Sequence, residues 1–219
     1  MAGLVPAIHV FRNQHRNSWM PGTSAKHDEE PVWAQRLSVG FVVTSIRTPR
    51  LLLRPPALAD AAQISLLAGD YDVASMTGTI PHPCSQQQAE EWIGSALASD
   101  DEVVFAVTQS GALIGCTGYR AFGTDHAELG YWIGKPYWRM GYATEAVRAL
   151  IAHGFDEGGF KYLIAGHFAD NPATERVLRK LGFVPTGEET RDCVARGDQV
   201  QSFTYRLDRE AALAVLRSA

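Results

Sequence analysis

Apolar residues recur every three or four positions in three stretches of the chain, and this spacing places them on one face of a helix. One stretch follows Ser85, whose hydroxyl suits an N-cap, and another runs from about Gly141 to Phe155. The predicted apolar faces are Ala89, Trp92, Ile93, Ala96 and Leu97 in the former and Val147, Leu150, Ile151 and Phe155 in the latter. A third helix is predicted within residues 57–70, with its apolar stripe at Leu58, Ala62, Leu66 and Ala68.

Three runs rich in β-branched and aromatic residues lie between the two longer helices and predict consecutive strands at 103–108, 113–120 and 127–134. A Gln-Ser-Gly turn joins the first two as a hairpin. Further strands are predicted at 50–55, 161–168 and 200–207, and further helices at 171–183 and 208–218. This order is typical of an α/β protein with one mixed sheet, made of a meander and a crossover and flanked by helices.

Residues 1–44 differ from the rest because they have no apolar period and contain scattered turn-forming residues. We expect a poorly ordered N-terminal extension there, and an organelle transit peptide or an upstream translation artefact would give the same pattern. A single domain is expected over residues 45–212, followed by the end of the C-terminal helix at 213–219.

The composition of the chain argues against several classes of partner and ligand. The chain has 219 residues and a formal net charge of −4, which argues against a nucleic-acid partner. No apolar run is long enough to span a membrane, so we expect no membrane partner. Cys84, Cys116 and Cys193 are widely spaced and imply no disulfide framework, so we expect a cytoplasmic location. The three cysteines and the scattered histidines form no recognised metal-binding spacing, and Cys116 is expected in the core.

The helix that starts near Gly141 follows a short loop, and the first N–H groups of such a helix have no partner within the helix. Together with the helix dipole they predict an anion site at about residues 141–144. Gly141 lets a ligand approach the backbone closely, and Arg139 adds a positive charge. The chain has no GxxxxGK[ST] or GxGxxG motif, which weakens a nucleotide-binding interpretation. A plain helix start is the alternative interpretation.

The segment Trp138-Arg139-Met140-Gly141-Tyr142-Ala143 resembles the pyrophosphate-binding loop of the GCN5-related N-acetyltransferases, Gln/Arg-x-x-Gly-x-Gly/Ala, with Trp138 in place of the leading Gln or Arg. The segments "TPRLLLRPPALADA", "AELGYWIGKPYW" and "NPATERVLRKLGF" are similar to other parts of the ribosomal-protein N-terminal acetyltransferase-like branch, in the order of that family. The resemblance covers residues 45 to about 208. It implies a single mixed, mostly antiparallel sheet whose central parallel strands, 127–134 and 161–168, splay apart around acyl-coenzyme A.

The resemblance also implies contacts to acetyl-CoA. The diphosphate would lie on Arg139, Met140, Gly141, Tyr142, Ala143 and Thr144. A backbone N–H near Ile133 would stabilise charge on the thioester carbonyl, and Asn171 would contact the pantetheine arm. Alternatively, Ile133 makes an ordinary ladder bond and Asn171 is only an N-cap.

Glu128 is the candidate general base. It shares a face of its strand with Gly130, which leaves room beside it. An attacking amine has a reference pKa of about 10.4 for lysine or about 7.7–8.0 for an α-amine, and a carboxylate could accept its proton, directly or through a water. The alternative is a structural glutamate paired with an arginine. His126 lies on the same predicted face.

The proton donor to the leaving thiolate is less defined. Many relatives place a tyrosine where this chain has Leu178. Thr174 stands where the branch often has serine, and its hydroxyl could donate to the sulfur or to the backbone.

These features predict an acyl-CoA-dependent N-acyltransferase that moves acetyl from acetyl-CoA directly to a primary amine, on a peptide N-terminus or a small molecule. The alternative from another class is a non-catalytic acyl-CoA-binding sensor or interaction module. No metal is expected. Dimers are common on this fold, although no sequence feature identifies one here.

Overall fold

The computed structural model describes residues 44–217, so the predicted N-terminal extension falls outside the described residues except for its last position. The described strands are β1 (Ile46–Arg47), β2 (Leu52–Arg54), β3 (Glu102–Gln109), β4 (Ala112–Phe122), β5 (His126–Ile133), β6 (Tyr162–Phe168), β7 (Val184–Cys193) and β8 (Asp198–Asp208). The described helices are α1 (Ala61–Ala68), α2 (Tyr71–Ala74), α3 (Gln86–Leu97), α4 (Tyr142–Asp156), α5 (Pro172–Lys180) and α6 (Arg209–Arg217).

These strands form one sheet in the order β1-β2-β3-β4-β5-β6-β8-β7. β5 and β6 pair in parallel, whereas every other neighbouring pair in this sheet is antiparallel. The predicted mixed, mostly antiparallel sheet with a central parallel pair is therefore confirmed.

Helices cover both faces of the sheet because the strands alternate buried side chains between two cores. Leu129 of β5 packs in one core with Leu150 of α4 and Leu178 of α5. Trp132 of the same strand packs in the other core with α1 and α3. β5 thus lies between the two cores, and residues on its opposite faces meet different helices.

The predicted caps and most of the helical stripes are confirmed. Ser85 caps α3 by accepting the Gln88 N–H at 3.2 Å, and the residues of that helix that are buried are Ala89, Ile93 and Ala96. Leu97, at 56% exposure, faces solvent instead.

The stripe predicted for α1 is wrong. Leu58 and Leu66 are 63% and 69% exposed, and the helix instead buries Ala61, Ile64, Leu67 and Ala68. Apolar residues lie on both sides of this short helix, so spacing alone did not identify the face that packs on the sheet.

The strand β7 was not predicted, because its sequence has almost no apolar pattern. It is an edge strand that pairs only with β8 in the described sheet, and its residues before Arg191 are all exposed. Within residues 44–217, no helix combines the length and apolar character that a membrane span requires.

Candidate active site

The parallel strands β5 and β6 separate soon after they begin. Their Cα partners run from His126–Tyr162 to Glu128–Ile164, and the described residues contain no further pair between them. Both strands continue beyond this point, β5 to Ile133 and β6 to Phe168. The predicted splayed pair is therefore confirmed, and we call the space between the diverging strands the wedge.

Backbone donors of β5 face the wedge. The N–H of Gly134 donates to the Ile114 carbonyl of β4 at 2.8 Å. Because successive N–H groups of a strand point to opposite sides, those of Ile133 and Tyr131 point away from β4 and towards the wedge. The indole Nε1 of Trp138 donates to the Ile133 carbonyl at 2.6 Å, which ties the following loop to the same place.

The Glu128 carboxylate lies at the narrow end of the wedge and is hydrogen-bonded to Arg191. Arg191 lies on β7, so its side chain crosses β8 and β6 to reach β5. It passes over Gly166, where a Cβ would lie 3.4 Å from its Cζ. Arg191 also binds Glu189, and two carboxylates with one guanidinium leave one net negative charge.

Burial acts to lower the pKa of Arg191, but Glu128 and Glu189 outweigh it and raise that pKa above its ordinary value. The guanidinium is therefore a permanent cation beside Glu128. This arrangement matches the alternative interpretation of Glu128 as an ion-pair partner. Sequence analysis missed Arg191 because β7 was not predicted.

The loop before α4 contains two residues with positive φ, Arg139 at 63° and Gly141 at 80°. Gly141 is the N-cap and provides no side chain to the N–H groups of Tyr142, Ala143 and Thr144. These donors have no partner in the helix, and the helix dipole adds positive potential to them. The Arg139 side chain is exposed nearby. The arrangement suits a phosphate or diphosphate.

The first turn of α5 contains the remaining two predicted residues. The Oδ1 of Asn171 accepts the N–H of Thr174 at 3.3 Å, so the predicted N-cap is confirmed. Both residues are buried, with Thr174 at 0% exposure. Leu178 packs in the core on the same face of the sheet.

A phenol that sequence analysis did not identify lies beside Thr174. Tyr131 of β5 is 1% exposed, and its Oη makes no hydrogen bond of standard geometry within residues 44–217. Burial raises the pKa of Tyr131, and the neighbouring Thr174 hydroxyl acts in the opposite direction. Strand alternation could have assigned Tyr131 to the face opposite Glu128, but it could not have placed α5 against it.

A groove lies on the Glu128 face of the sheet. Trp92 of α3 and the paired glycines Gly118 and Gly130 line it, and its cavity volume is about 10 Å³, room for about one water molecule. Glu128 is two residues from Gly130 and therefore on the same face.

His126 and Cys116 are packed among other side chains. The His126 ring stacks between Phe122 and Tyr162, with ring centres 5.5 Å and 4.8 Å away. Cys116 is buried in the core as expected, and burial raises the pKa of its thiol. Residues 44–217 contain no cluster of His, Cys, Asp or Glu that could hold a metal ion.

Comparison with known families and curated proteins finds acetyltransferases. A family model described as "Acetyltransferase (GNAT) domain" matches residues 50–184. The uncharacterized N-acetyltransferase YoaA of Bacillus subtilis is 39% identical over 77 residues, which are 34% of this chain and 44% of YoaA. That alignment therefore spans less than half of the relative.

Solved structures share the fold. An acetyltransferase of the GNAT family from Bacillus anthracis matches with a TM-score of 0.67 and 23% identity, covering 76% of this chain and 99% of the other. RimL, a ribosomal L7/L12 alpha-N-protein acetyltransferase solved with coenzyme A, matches with a TM-score of 0.67 and 17% identity, covering 77% and 99%.

Proposed function

This chain belongs to the GNAT acetyltransferase family, and from that premise we propose that it transfers acetyl from acetyl-CoA directly to a primary amine. The observation that carries the proposal is the uncapped start of α4 at the open end of the wedge, where loop donors and strand donors adjoin. The fold alone would not define an activity, so the chemistry is argued from these groups.

The described residues fit acetyl-CoA. The N–H groups of 142–144 suit its diphosphate, with Arg139 as a nearby positive charge. Beyond the last β5–β6 pair, the N–H groups of Tyr131 and Ile133 suit the amide carbonyls of an extended pantetheine arm or the thioester oxygen. Such donors are preorganised because the strand holds them, and they stabilise negative charge where it develops.

Glu128 is proposed to accept the proton of the attacking amine. It lies at the last β5–β6 pair, where the wedge begins, so an amine that enters the wedge would approach its carboxylate. Arg191 holds one carboxylate oxygen and leaves lone pairs for a water or an ammonium group. The base and the ion-pair interpretations are therefore compatible, and Arg191 becomes the group that orients the base.

The leaving thiolate is proposed to receive a hydrogen bond from a hydroxyl. Thr174 and Tyr131 are the buried hydroxyls beside the wedge. Because its pKa is raised, the Tyr131 phenol stays protonated at neutral pH and can donate a hydrogen bond to the sulfur without losing its proton. A thiol has a reference pKa of about 8.5, so a hydrogen bond to the sulfur suffices without full proton transfer.

The acceptor is proposed to be a peptide or protein N-terminus or a small amine. The fold shared with RimL, whose name states that it acetylates a ribosomal protein, supports the former.

Two observations favour a second candidate, a non-catalytic acyl-CoA-binding module. Glu128 is engaged by Arg191, and Leu178 replaces the tyrosine of many relatives. In that case the wedge would bind acetyl-CoA without turnover.

Release of free thiol from acetyl-CoA, measured across a panel of amines and N-terminal peptides, separates these candidates. We expect turnover with at least one acceptor, and a loss of about 100-fold in Glu128→Gln with CoA affinity retained. Glu188→Gln, an exposed neighbour on β7 that binds Gln201, is the matched control. Binding of acetyl-CoA without thiol release for any acceptor would favour the non-catalytic module.

A further inference from the structure

Arg50 lies in the turn between β1 and β2 and contacts the loop before α4. Its Nη1 donates to the Met140 carbonyl at 2.8 Å, and its guanidinium lies 4.7 Å from the ring centre of Tyr142. Its Nη2 would be 3.3 Å from a Cβ at Gly141. One side chain from a distant part of the sequence thus lies against Met140 and Gly141 of the loop and Tyr142 at the start of α4.

The same arginine binds Glu145, the acidic residue in the first turn of α4. One oxygen of this carboxylate accepts from the Thr48 hydroxyl at 2.6 Å and the Arg50 N–H at 2.8 Å. The other accepts from Arg50 Nε at 2.6 Å. Burial acts to raise the pKa of Glu145, but these hydrogen bonds hold the pKa below its ordinary value, so the carboxylate is ionised at neutral pH.

A carboxylate at this position has two opposite effects. It stabilises the helix because it lies at the positive end of the dipole. It also repels any second anion at the same end, and the Glu145 N–H directly follows the donors of 142–144. A diphosphate would therefore meet an uncompensated negative charge one turn away if Arg50 were absent.

We propose that Arg50 is a positioning residue for the acetyl-CoA site, because it neutralises Glu145 and fixes the Met140 carbonyl. The start of α4 then offers its N–H donors to the diphosphate without a competing negative charge. Arg50 acts through these two groups and makes no contact with the phosphates. The inference rests on the proposed function, since it assumes that CoA binds at this loop.

Isothermal titration of CoA into purified variants tests this role. We expect Arg50→Ala to weaken binding about 10-fold at low salt, because the half-buried Glu145 carboxylate would then be an unpaired like charge close to the ligand. Arg50→Ala combined with Glu145→Gln removes the repelling charge and should recover most of the affinity. Arg47→Ala removes an exposed charge on the neighbouring β1 and should change the affinity less than about twofold.

One further ligand and one further variant make the result decisive. Dephospho-CoA retains the diphosphate, so Arg50→Ala should weaken its binding as much as that of CoA. Arg50→Met keeps an apolar stem against Tyr142 and replaces the alanine variant if that variant does not fold. The inference is overturned if Arg50→Ala binds CoA as tightly as wild type, or if the double variant binds CoA no tighter than Arg50→Ala. It is also overturned if Arg50→Ala loses affinity for CoA but not for dephospho-CoA, which lacks the 3′-phosphate. Failure of the wild-type protein itself to bind CoA would contradict the proposed function as well.

Discussion

Arg191 reaches Glu128 across two intervening strands, over a glycine that leaves it room. The side chains of Arg191 and Glu128 are 22% and 16% exposed, so the pair is largely shielded from water. The contact joins the edge of the sheet to its centre. It also fixes the direction of the carboxylate that we propose as the base.

Replacing Arg191 should therefore affect both activity and stability. In Arg191→Met, Glu128 loses its partner in a half-buried site, and we expect the free energy of unfolding to fall by about 1–3 kcal/mol. We expect kcat to fall about 10-fold because the base is no longer oriented, with the KM for acetyl-CoA unchanged. Urea unfolding and thiol-release kinetics measure these effects.

The matched control is Arg179→Met, which removes an exposed arginine from an i,i+4 pair with Glu175 and should leave activity unchanged. Adding Glu128→Gln to Arg191→Met should restore stability but not activity. If Arg191→Met keeps full kcat, Arg191 is not a positioning residue for the reaction.

Gly141→Ala should weaken CoA binding about 10-fold. A Cβ at a φ of 80° costs about 1–2 kcal/mol, and here it would also lie only 3.3 Å from the Arg50 guanidinium, which would have to shift slightly. Gly111→Ala provides the control, because Gly111 has a φ of 86° and an open surrounding in the β3–β4 hairpin. The two variants should lose similar stability in thermal unfolding, and only Gly141→Ala should lose affinity. Equal affinities would contradict the assignment of the loop.

Tyr131→Phe should raise the pKa of the CoA thiol in the enzyme complex, because the thiolate would lose a donor. Ultraviolet absorbance of the thiolate, followed against pH, measures this value directly. Stability should stay equal or rise, since a buried hydroxyl without a standard partner is removed. Tyr119→Phe removes another buried phenol, one that bonds His153 at 3.1 Å, and should leave the thiol unaffected. An unchanged thiol pKa in Tyr131→Phe would exclude it as the donor.

Stability should fall on mild acidification because of two histidines, the half-buried His153 and the buried His167. Burial lowers the pKa of His153 and of His167 below the unfolded value of about 6.5. Below about pH 6.5 the unfolded chain therefore binds more protons than the folded chain. The contribution of these histidines to the free energy of unfolding is complete above about pH 6.5 and is lost as pH falls towards their pKa values in the folded protein. Urea unfolding at pH 7.5 and 5.5 should show the loss, and His153→Gln with His167→Gln should reduce the difference. A stability that rises between pH 7.5 and 5.5 would contradict this account.

Local signals were sufficient for much of the fold. The strands from 103 to 134, the helix α4 and the caps Ser85 and Asn171 all follow from period, turn chemistry and capping within a few residues. The anion loop was predictable for the same reason, because Gly141 and the helix it begins are adjacent in sequence.

The partners of the site residues were not predictable from such signals. Arg191 and Glu128 are 63 residues apart, and Arg50 and Glu145 are 95 apart. Each pair depends on which strands or turns become neighbours in space. The edge strand β7 lacks an apolar pattern, so the element that contributes Arg191 carried no signal of its own.

A structure of the protein with CoA tests the central claim most directly, because it locates the diphosphate. We predict phosphate oxygens about 2.7–3.2 Å from the backbone nitrogens of Tyr142, Ala143 and Thr144, with the pantetheine arm in the wedge between β5 and β6. A diphosphate bound elsewhere, or no bound CoA at millimolar concentration, would contradict the account.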